Sequence, residues 1–236
     1  MWLPTAALAR VDITDHPNQV WAGYGLDFTN PSDTPLSVSG TWTVPSVNCS
    51  RNGKPISGQV SVWPGLGGAK SGNNLEQTGT DSQCINGKAT YWAWYEFPPK
   101  PPVHITANGK YPVSVNDSMR ADVTDQGAGY FVLRIFDNTK HWHYTKIMIN
   151  QSSSAVPQTG EWIVEDPGNA TWPQFTKNVV FKNCYWVQNG PQTALDLGAN
   201  LTQYTIYTNT LFPLAKDVTW DPASDGTDFA VQWQRY

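Results

Sequence analysis

The chain of 236 residues contains 12 Trp, 10 Tyr and 8 Phe, whereas charged residues make up only 14% of it. Disordered chains lack aromatic residues, so this composition excludes disorder; the net charge of −4 argues against nucleic acid as a partner, because phosphate binding needs a basic patch. No apolar run approaches the roughly 20 residues of a membrane-spanning helix, so a membrane partner is not expected either.

Short runs of alternating or apolar and aromatic residues recur along the chain, separated by turn signals such as Asn-Gly. Twelve of these runs predict strands, at residues 20–28, 36–44, 59–63, 89–97, 103–107, 113–123, 130–136, 141–149, 161–165, 178–187, 203–207 and 229–233. No comparable stretch has helical periodicity. The pattern indicates an all-β fold, an antiparallel sandwich or barrel. No linker or repeat divides the chain, so one domain over residues 1–236 is predicted.

Three cysteines allow at most one internal disulfide. Cys49 and Cys84 lie in turn-rich, polar surroundings and are the predicted pair. Cys184 lies in the apolar run VVFKNCYW, where a free cysteine behaves as a small buried hydrophobe. The sequence therefore predicts one disulfide and one buried thiol.

Several features favour a secreted protein. The segment Met1–Arg10 lacks the basic region and apolar core of a signal peptide, so we expect a mature form whose leader and pro-segment have been removed. N-x-S/T sequons, which suit a secreted chain, begin at Asn48, Asn116, Asn150, Asn169 and Asn200.

Five motifs carry a family resemblance. They read VWAGYG at residues 20–25, VSGTWTVPS at 38–46, SVWPGLGGAKSGNNLEQTGTD at 61–81, YWAWYEFPP at 91–99 and GEWIVEDP at 160–167. In this order and spacing they closely resemble the glutamic peptidases of the eqolisin family. The resemblance covers roughly residues 20–181, and the chain from about Pro191 matches only loosely. It implies an antiparallel β-sandwich of two large curved sheets, of the concanavalin A-like or jelly-roll type, bent around a substrate cleft.

The resemblance also implies a catalytic pair, Gln77 and Glu165. A Glu carboxylate can deprotonate water as the water attacks a peptide carbonyl, and a Gln amide can donate a hydrogen bond to the oxyanion. Because free Glu titrates near ~4.3, a lone Glu base favours an acid-acting enzyme. No cofactor or metal is needed, and inhibitors of two-Asp proteases such as pepstatin are expected to fail. The expected partners are protein or peptide substrates of a monomer.

Four further positions match family residues of the cleft. Trp21, Trp63 and Trp94 are candidates for clamping an extended peptide, although packing in the sandwich core is a serious alternative for each. Glu96 is interpreted either as a supporting acid of the site or as a structural partner for a buried hydroxyl.

Strand alternation bears on the neighbours of the pair. Gln77 shares a face with Leu75, so Glu76 is expected to point away and to be solvated or salt-bridged. Glu161 and Glu165 share a face with Ile163 between them. On an ideal strand they lie about 13 Å apart, too far for direct coupling.

Alternative functions stay open at this point. The family commonly has an acidic residue in the loop after the Trp63 position, whereas this chain has Gly67 there, which allows a non-catalytic descendant. A carbohydrate-active or carbohydrate-binding sandwich is also possible, with Glu96 and Glu165 as the paired carboxylates. His141 and His143 alternate on one strand, but no third metal ligand is evident from the spacing.

Overall fold

The computed structural model describes residues 13–18, 20–70, 75–105, 107–149, 156–167, 174–175, 178–195, 201–208, 212–220 and 227–233. Met1–Arg10 and three of the sequons, at Asn150, Asn169 and Asn200, lie outside them. In this part of the chain there are twenty strands, and a 3₁₀ turn lies at Ala107–Gly109. The strands are β1 Ile13–Asn18, β2 Trp21–Asp27, β3 Leu36–Thr43, β4 Val47–Asn48, β5 Ser50–Arg51, β6 Lys54–Pro55, β7 Gly58–Leu66, β8 Glu76–Ile85, β9 Lys88–Glu96, β10 Val103–His104, β11 Ser118–Asp125, β12 Tyr130–Asp137, β13 Trp142–Ile149, β14 Thr159–Glu165, β15 Gln174–Phe175, β16 Val179–Gln188, β17 Thr193–Ala194, β18 Leu201–Thr208, β19 Phe212–Trp220 and β20 Phe229–Trp233.

The long strands form one hydrogen-bonded sheet that turns back on itself. Its order is β10-β9-β8-β7-β14-β2-β18-β19-β20-β16-β3-β11-β12-β13. The first seven strands make the front layer and the last five the back layer, while β19 and β20 join them. Strands β7 and β8 of the front layer lie against β3, β11 and β12 of the back layer. The pairs along this path are antiparallel, and β1 adds to β18 in parallel.

Alternation decides which side chains fill the space between the layers. In β14, Trp162 and Val164 point inward; in β7, Val60 and Val62 do the same, and none of the four is exposed. They pack with inward residues of β3 and β11, such as Val38. The opposite face of the front layer is thereby left for the remaining side chains of the same strands.

Glycines and indole groups let the layers approach closely. A Cβ added at Gly160 would lie 2.4 Å from Val38 Cγ1, so only glycine fits there. Beside it, the Trp162 indole N–H donates to the Ser39 carbonyl at 2.8 Å. The Trp42 indole N–H crosses the core and donates to Thr80 Oγ1 at 2.9 Å. These two buried indoles thus have the partner that a buried donor requires.

The all-β sandwich predicted from the sequence is confirmed. Most predicted runs coincide with strands, but the run at 113–123 becomes a strand only from Ser118, because a turn precedes it. Strand β8, which carries Gln77, was not among the predicted runs. Glu76 is fully buried, so the expectation that it is solvated is wrong.

The cysteine prediction is also confirmed. Cys49 and Cys84 form a disulfide that ties the end of β8 to the segment after β4. Cys184 is a free, buried thiol in β16. Within the described residues, no helix is long and apolar enough to cross a membrane.

Candidate active site

The predicted site residues project from the outer face of the front layer. Register places Gln77 of β8 between Glu96 of β9 and Gly65 of β7. Two strands away, Glu165 of β14 pairs with Ser61 of β7 and with Trp21 of β2. Because directly opposite residues share a face, the amide and the carboxyl emerge on the same side of the sheet.

Trp63 links the two predicted catalytic residues. A Cβ added at Gly65 would lie 3.1 Å from Cζ3 of the Trp63 ring and 3.2 Å from Gln77 Cβ, so the ring lies beside the base of Gln77. At its other end the indole Nε1–H donates to Glu165 Oε2 at 2.7 Å. The indole therefore fixes one carboxyl oxygen of Glu165.

The Glu165 carboxyl is held in a mostly apolar setting. Burial raises its pKa from the ordinary value to about 7, and the negative charges of Glu96 and Asp81 add to this shift. The hydrogen bonds from Trp63 and Trp21 oppose the shift because they stabilise the charged form. The direction of this shift runs against the sequence-based expectation, which took the pKa of free Glu.

Gln77 is held by Glu96. Its Nε2–H donates to Glu96 Oε2 at 2.7 Å, while its Oε1 is buried and has no hydrogen-bond partner. Of the two interpretations of Glu96, the one as a supporting acid within the site agrees with this contact. Burial raises the pKa of Glu96, with a further contribution from Asp81.

Asp81 completes a group of carboxyls on this face. Ser61 Oγ donates to its Oδ1 at 2.6 Å, and the Trp92 indole donates to its Oδ2 at 3.0 Å. Burial raises its pKa despite these bonds. Trp92 lies two residues before Trp94, and the alternation of YWAWYEF places it on the same face as Trp94 and Glu96. This spacing is the sequence signal that could have identified Trp92 as a residue of the site.

The tryptophans differ in their exposure. Trp63 has no exposed surface and Trp94 only 4%, so packing describes them better than a peptide clamp. Both belong to a small cluster with Ile163 and Tyr204. Trp21 is partly buried and packs edge-to-face on Trp63, with ring centroids 5.2 Å apart. Trp21 lines an open cavity.

In the strand register, Glu161 is closer to Gln77 than Glu165 is. Gly65 of β7 pairs with both Gln77 and Glu161, whereas Glu165 pairs with Ser61, four residues away along β7. However, Glu161 has no exposed surface, and burial raises its pKa well above the ordinary value. Its Oε1 accepts from the Ala69 N–H at 3.4 Å, and its Oε2 has no partner. A sealed carboxyl cannot meet substrate, so Glu165 is the better candidate.

A cavity of about 570 Å³ opens beside Glu165, on the β2 and β18 side. Trp21 and Tyr204 form its aromatic wall, with ring centroids 5.6 Å apart. The loop after β7, residues 68–70, forms the other wall. Tyr204 lies in the C-terminal part that matches the family motifs only loosely, so no sequence motif indicated it.

Gly67 replaces the acidic residue that the family commonly has. Its φ is +85°, a conformation that favours glycine, and its N–H donates to the Thr159 carbonyl at 2.7 Å. The backbone conformation of this loop therefore favours glycine at position 67. Across the described ranges, no group of three or more His, Cys, Asp or Glu side chains is arranged to hold a metal ion.

Comparisons with known proteins identify the family and the fold. The model of the Peptidase A4 family matches residues 19–225, well beyond residue 181, where the resemblance of the motifs ends. A search of curated proteins returned no match.

Solved structures share the fold. Scytalido-glutamic peptidase, solved with a transition state analog inhibitor, has a TM-score of 0.75 at 22% identity over 92% of this chain and 98% of that one. SCP-B, a member of the eqolisin family solved with the tripeptide Ala-Ile-His, has a TM-score of 0.73 at 22% identity over 92% and 98%. Aspergilloglutamic peptidase from Aspergillus niger has a TM-score of 0.58 at 21% identity over 75% and 99%. Since the family model covers most of its length, the chain belongs to the Peptidase A4 family, the eqolisins, and is a hydrolase of peptide bonds.

Proposed function

We propose that this chain is a glutamic endopeptidase in which Glu165 activates water and Gln77 stabilises the oxyanion. The observation that carries the proposal is the Trp63 link. One indole borders Gln77 and holds Glu165, on the outer face of the front layer and next to a cavity that Glu165 itself lines.

The chemistry follows from these groups. Ionised Glu165 accepts a proton from a water molecule as the water oxygen bonds to the scissile carbonyl carbon, which gives a tetrahedral intermediate. The protonated carboxyl then returns the proton to the departing amine as the C–N bond breaks. No metal or covalent intermediate takes part.

Gln77 suits the oxyanion because Glu96 fixes the amide plane. One N–H is used by Glu96, which leaves the second N–H for the developing charge. A fixed donor of this kind is typically worth about 3–4 kcal/mol of transition-state stabilisation.

The raised pKa of Glu165 changes the expected pH range. A base works in its ionised form, so activity falls as pH drops below the pKa of about 7 in the free enzyme. We therefore propose neutral to mildly acid conditions as the working range, with strong acid disfavoured.

Substrate and inhibitor behaviour follow from the pair. Two structures of the family contain a transition state analog inhibitor and a tripeptide, which supports peptides as substrates here. The proposed site uses one carboxyl and one amide, so pepstatin is expected to be inactive against it. The disulfide supports a secreted enzyme, which we propose acts as a monomer.

Digestion of denatured casein tests the proposal, with wild type, Gln77→Ala and Glu165→Gln compared across acid to neutral pH and with pepstatin present. Wild type is expected to cleave, whereas Glu165→Gln loses nearly all turnover and Gln77→Ala loses about 100-fold or more. Normal turnover of Glu165→Gln would refute the assignment. An inert wild type that degrades a glycan instead would favour the carbohydrate-active alternative.

A further inference from the structure

The cavity beside Glu165 is large enough for a substrate side chain. Its volume of about 570 Å³ lies within the range of roughly 300–1,000 Å³ that is usual for ligand pockets. It adjoins the proposed base directly, so a side chain in it belongs to a residue close to the bond being cleaved.

The lining combines flat aromatic surface with acidic groups. Trp21 and Tyr204 offer ring faces and edges to an alkyl chain. Among the described residues, two carboxyl groups also line the cavity, those of Asp27 and Glu165, together with one cation, Lys70. A long side chain with an apolar stem and a positive end matches this arrangement.

Lys70 shows that an ammonium group fits against Asp27. Its Nζ donates to Asp27 Oδ2 at 2.7 Å, with side-chain exposures of 51% for Lys70 and 27% for Asp27. An ion pair as exposed as this one is worth only about 0.2–1 kcal/mol. Replacing Lys70 by a cation from the substrate therefore costs little.

We propose that this cavity is a subsite for a lysine or arginine side chain of the substrate, which displaces Lys70 and pairs with Asp27. Its stem packs on Trp21 and Tyr204, where a cation also gains from the ring faces. The inference rests on the proposed peptidase function, and it assigns to Lys70 the role of an internal competitor in the free enzyme.

The test uses quenched fluorescent peptides that carry Lys, norleucine or Glu on either side of one cleavable bond. At one of the two positions, Lys70→Met is expected to prefer Lys over norleucine by about two- to fivefold in kcat/KM, the factor that an exposed ion pair supplies when no internal cation competes. Wild type should show a smaller preference for Lys, because Lys70 must first leave Asp27, and Asp27→Asn should abolish the preference. Lys182→Met on β16 and Asp33→Asn in the loop after β2 are matched controls, and should leave the ratio unchanged.

The outcomes separate the two proposals. Cleavage of all peptides without a Lys preference, or a preference that survives Asp27→Asn, would overturn the subsite alone. A preference for Glu that is lost in Lys70→Met would show that Lys70 binds an acidic substrate instead. If no peptide is cleaved, the proposed function fails, and calorimetry of the same peptides on Glu165→Gln still decides the subsite: tighter binding of the Lys peptide supports it, and equal affinity refutes it.

Discussion

Two opposing influences act on the carboxyl group of Glu165. Burial raises its pKa to about 7, whereas the indole hydrogen bond from Trp63 favours the charged form. A single side chain thus controls both the position of Glu165 and the readiness with which it ionises. This coupling makes the hydrogen bond measurable through the pH dependence of the reaction.

Trp63→Phe is expected to raise the pKa of Glu165 further. Hydrogen bonds to charged groups contribute about 1.5–3 kcal/mol, which corresponds to roughly one to two pKa units. The acid limb of the kcat/KM profile should therefore move to higher pH by about one unit or more. Trp92→Phe, which removes the indole donor to Asp81, serves as the control and should move the limb far less. An unmoved limb in Trp63→Phe would show that Glu165 is not the titrating base.

Glu96→Gln tests how the amide of Gln77 is oriented. The carboxylate of Glu96 accepts from Gln77, and a Gln in its place offers a weaker, neutral acceptor that can also flip. We expect kcat to fall about tenfold with little change in KM, because the lost contact acts on the transition state. A rise in KM at constant kcat would instead indicate that Glu96 contacts substrate.

At the scale of the strands, the two layers depend on glycine where β14 crosses β3. Gly160→Ala places a Cβ 2.4 Å from Val38 Cγ1, so one side chain must move. We expect a loss of about 1–3 kcal/mol in the free energy of unfolding, measured with urea. Val38→Ala in the same chain should recover part of that loss, because the two changes share one contact. Simple additivity of the two losses would contradict the packing described here.

Strand β8 shows where sequence patterns stop being informative. It reads EQTGTDSQCI, without the apolar alternation that predicted its neighbours. The strand is nonetheless buried, and its buried hydroxyl groups are tolerated because they have hydrogen-bond partners on the adjacent elements. Thr78 donates to the Trp94 carbonyl at 2.6 Å, and Ser82 to that of Pro45 at 2.9 Å. Such pairings depend on distant residues, so single-sequence periodicity could not reveal them.

Only part of the candidate site could be predicted from the sequence. The motif order placed Gln77 and Glu165, and alternation placed Ile163 beside the latter on one face. Exposure could not be predicted, because it depends on the tertiary fold: Trp63 and Glu161 have no exposed surface, and Glu161 accepts a hydrogen bond from Ala69 in the loop after β7. Tyr204 reaches the site through β18, and that pairing joins residues about 180 apart in the chain.

At the scale of the whole molecule, buried carboxyl groups occur in both layers. Burial is the largest cause of a raised pKa at Asp81, Glu96, Asp122, Asp125, Asp137, Glu161 and Glu165. The folded state therefore binds more protons than the unfolded chain at pH values between the ordinary carboxyl pKa of about 4 and the raised pKa values.

The prediction of a single domain over residues 1–236 remains untested, and a single pH-dependent unfolding transition would support it.

This proton balance fixes the sign of the pH dependence of stability. A carboxyl whose folded-state pKa is raised contributes its full share below the unfolded pKa, and that share is lost as pH rises through the folded pKa. The contribution of these carboxyl groups to the free energy of unfolding should therefore be highest below about pH 4 and decline towards pH 7 and above, opposite in sign to ordinary acid denaturation.

Glu161→Gln isolates one contribution to that slope. The amide keeps the size of the neutral acid and can still accept from Ala69, but it cannot ionise beside Asp27 and Glu76. Urea unfolding at several pH values should show near-equal stability of wild type and variant in acid, and a more stable variant at neutral pH. Ile163→Val on the same strand is the control, since a lost methylene group costs about 0.5–1.5 kcal/mol at every pH. If wild type and Glu161→Gln declined in parallel with rising pH, the buried acid would not be a source of the slope, and the balance of protons would have to come from the remaining carboxyl groups.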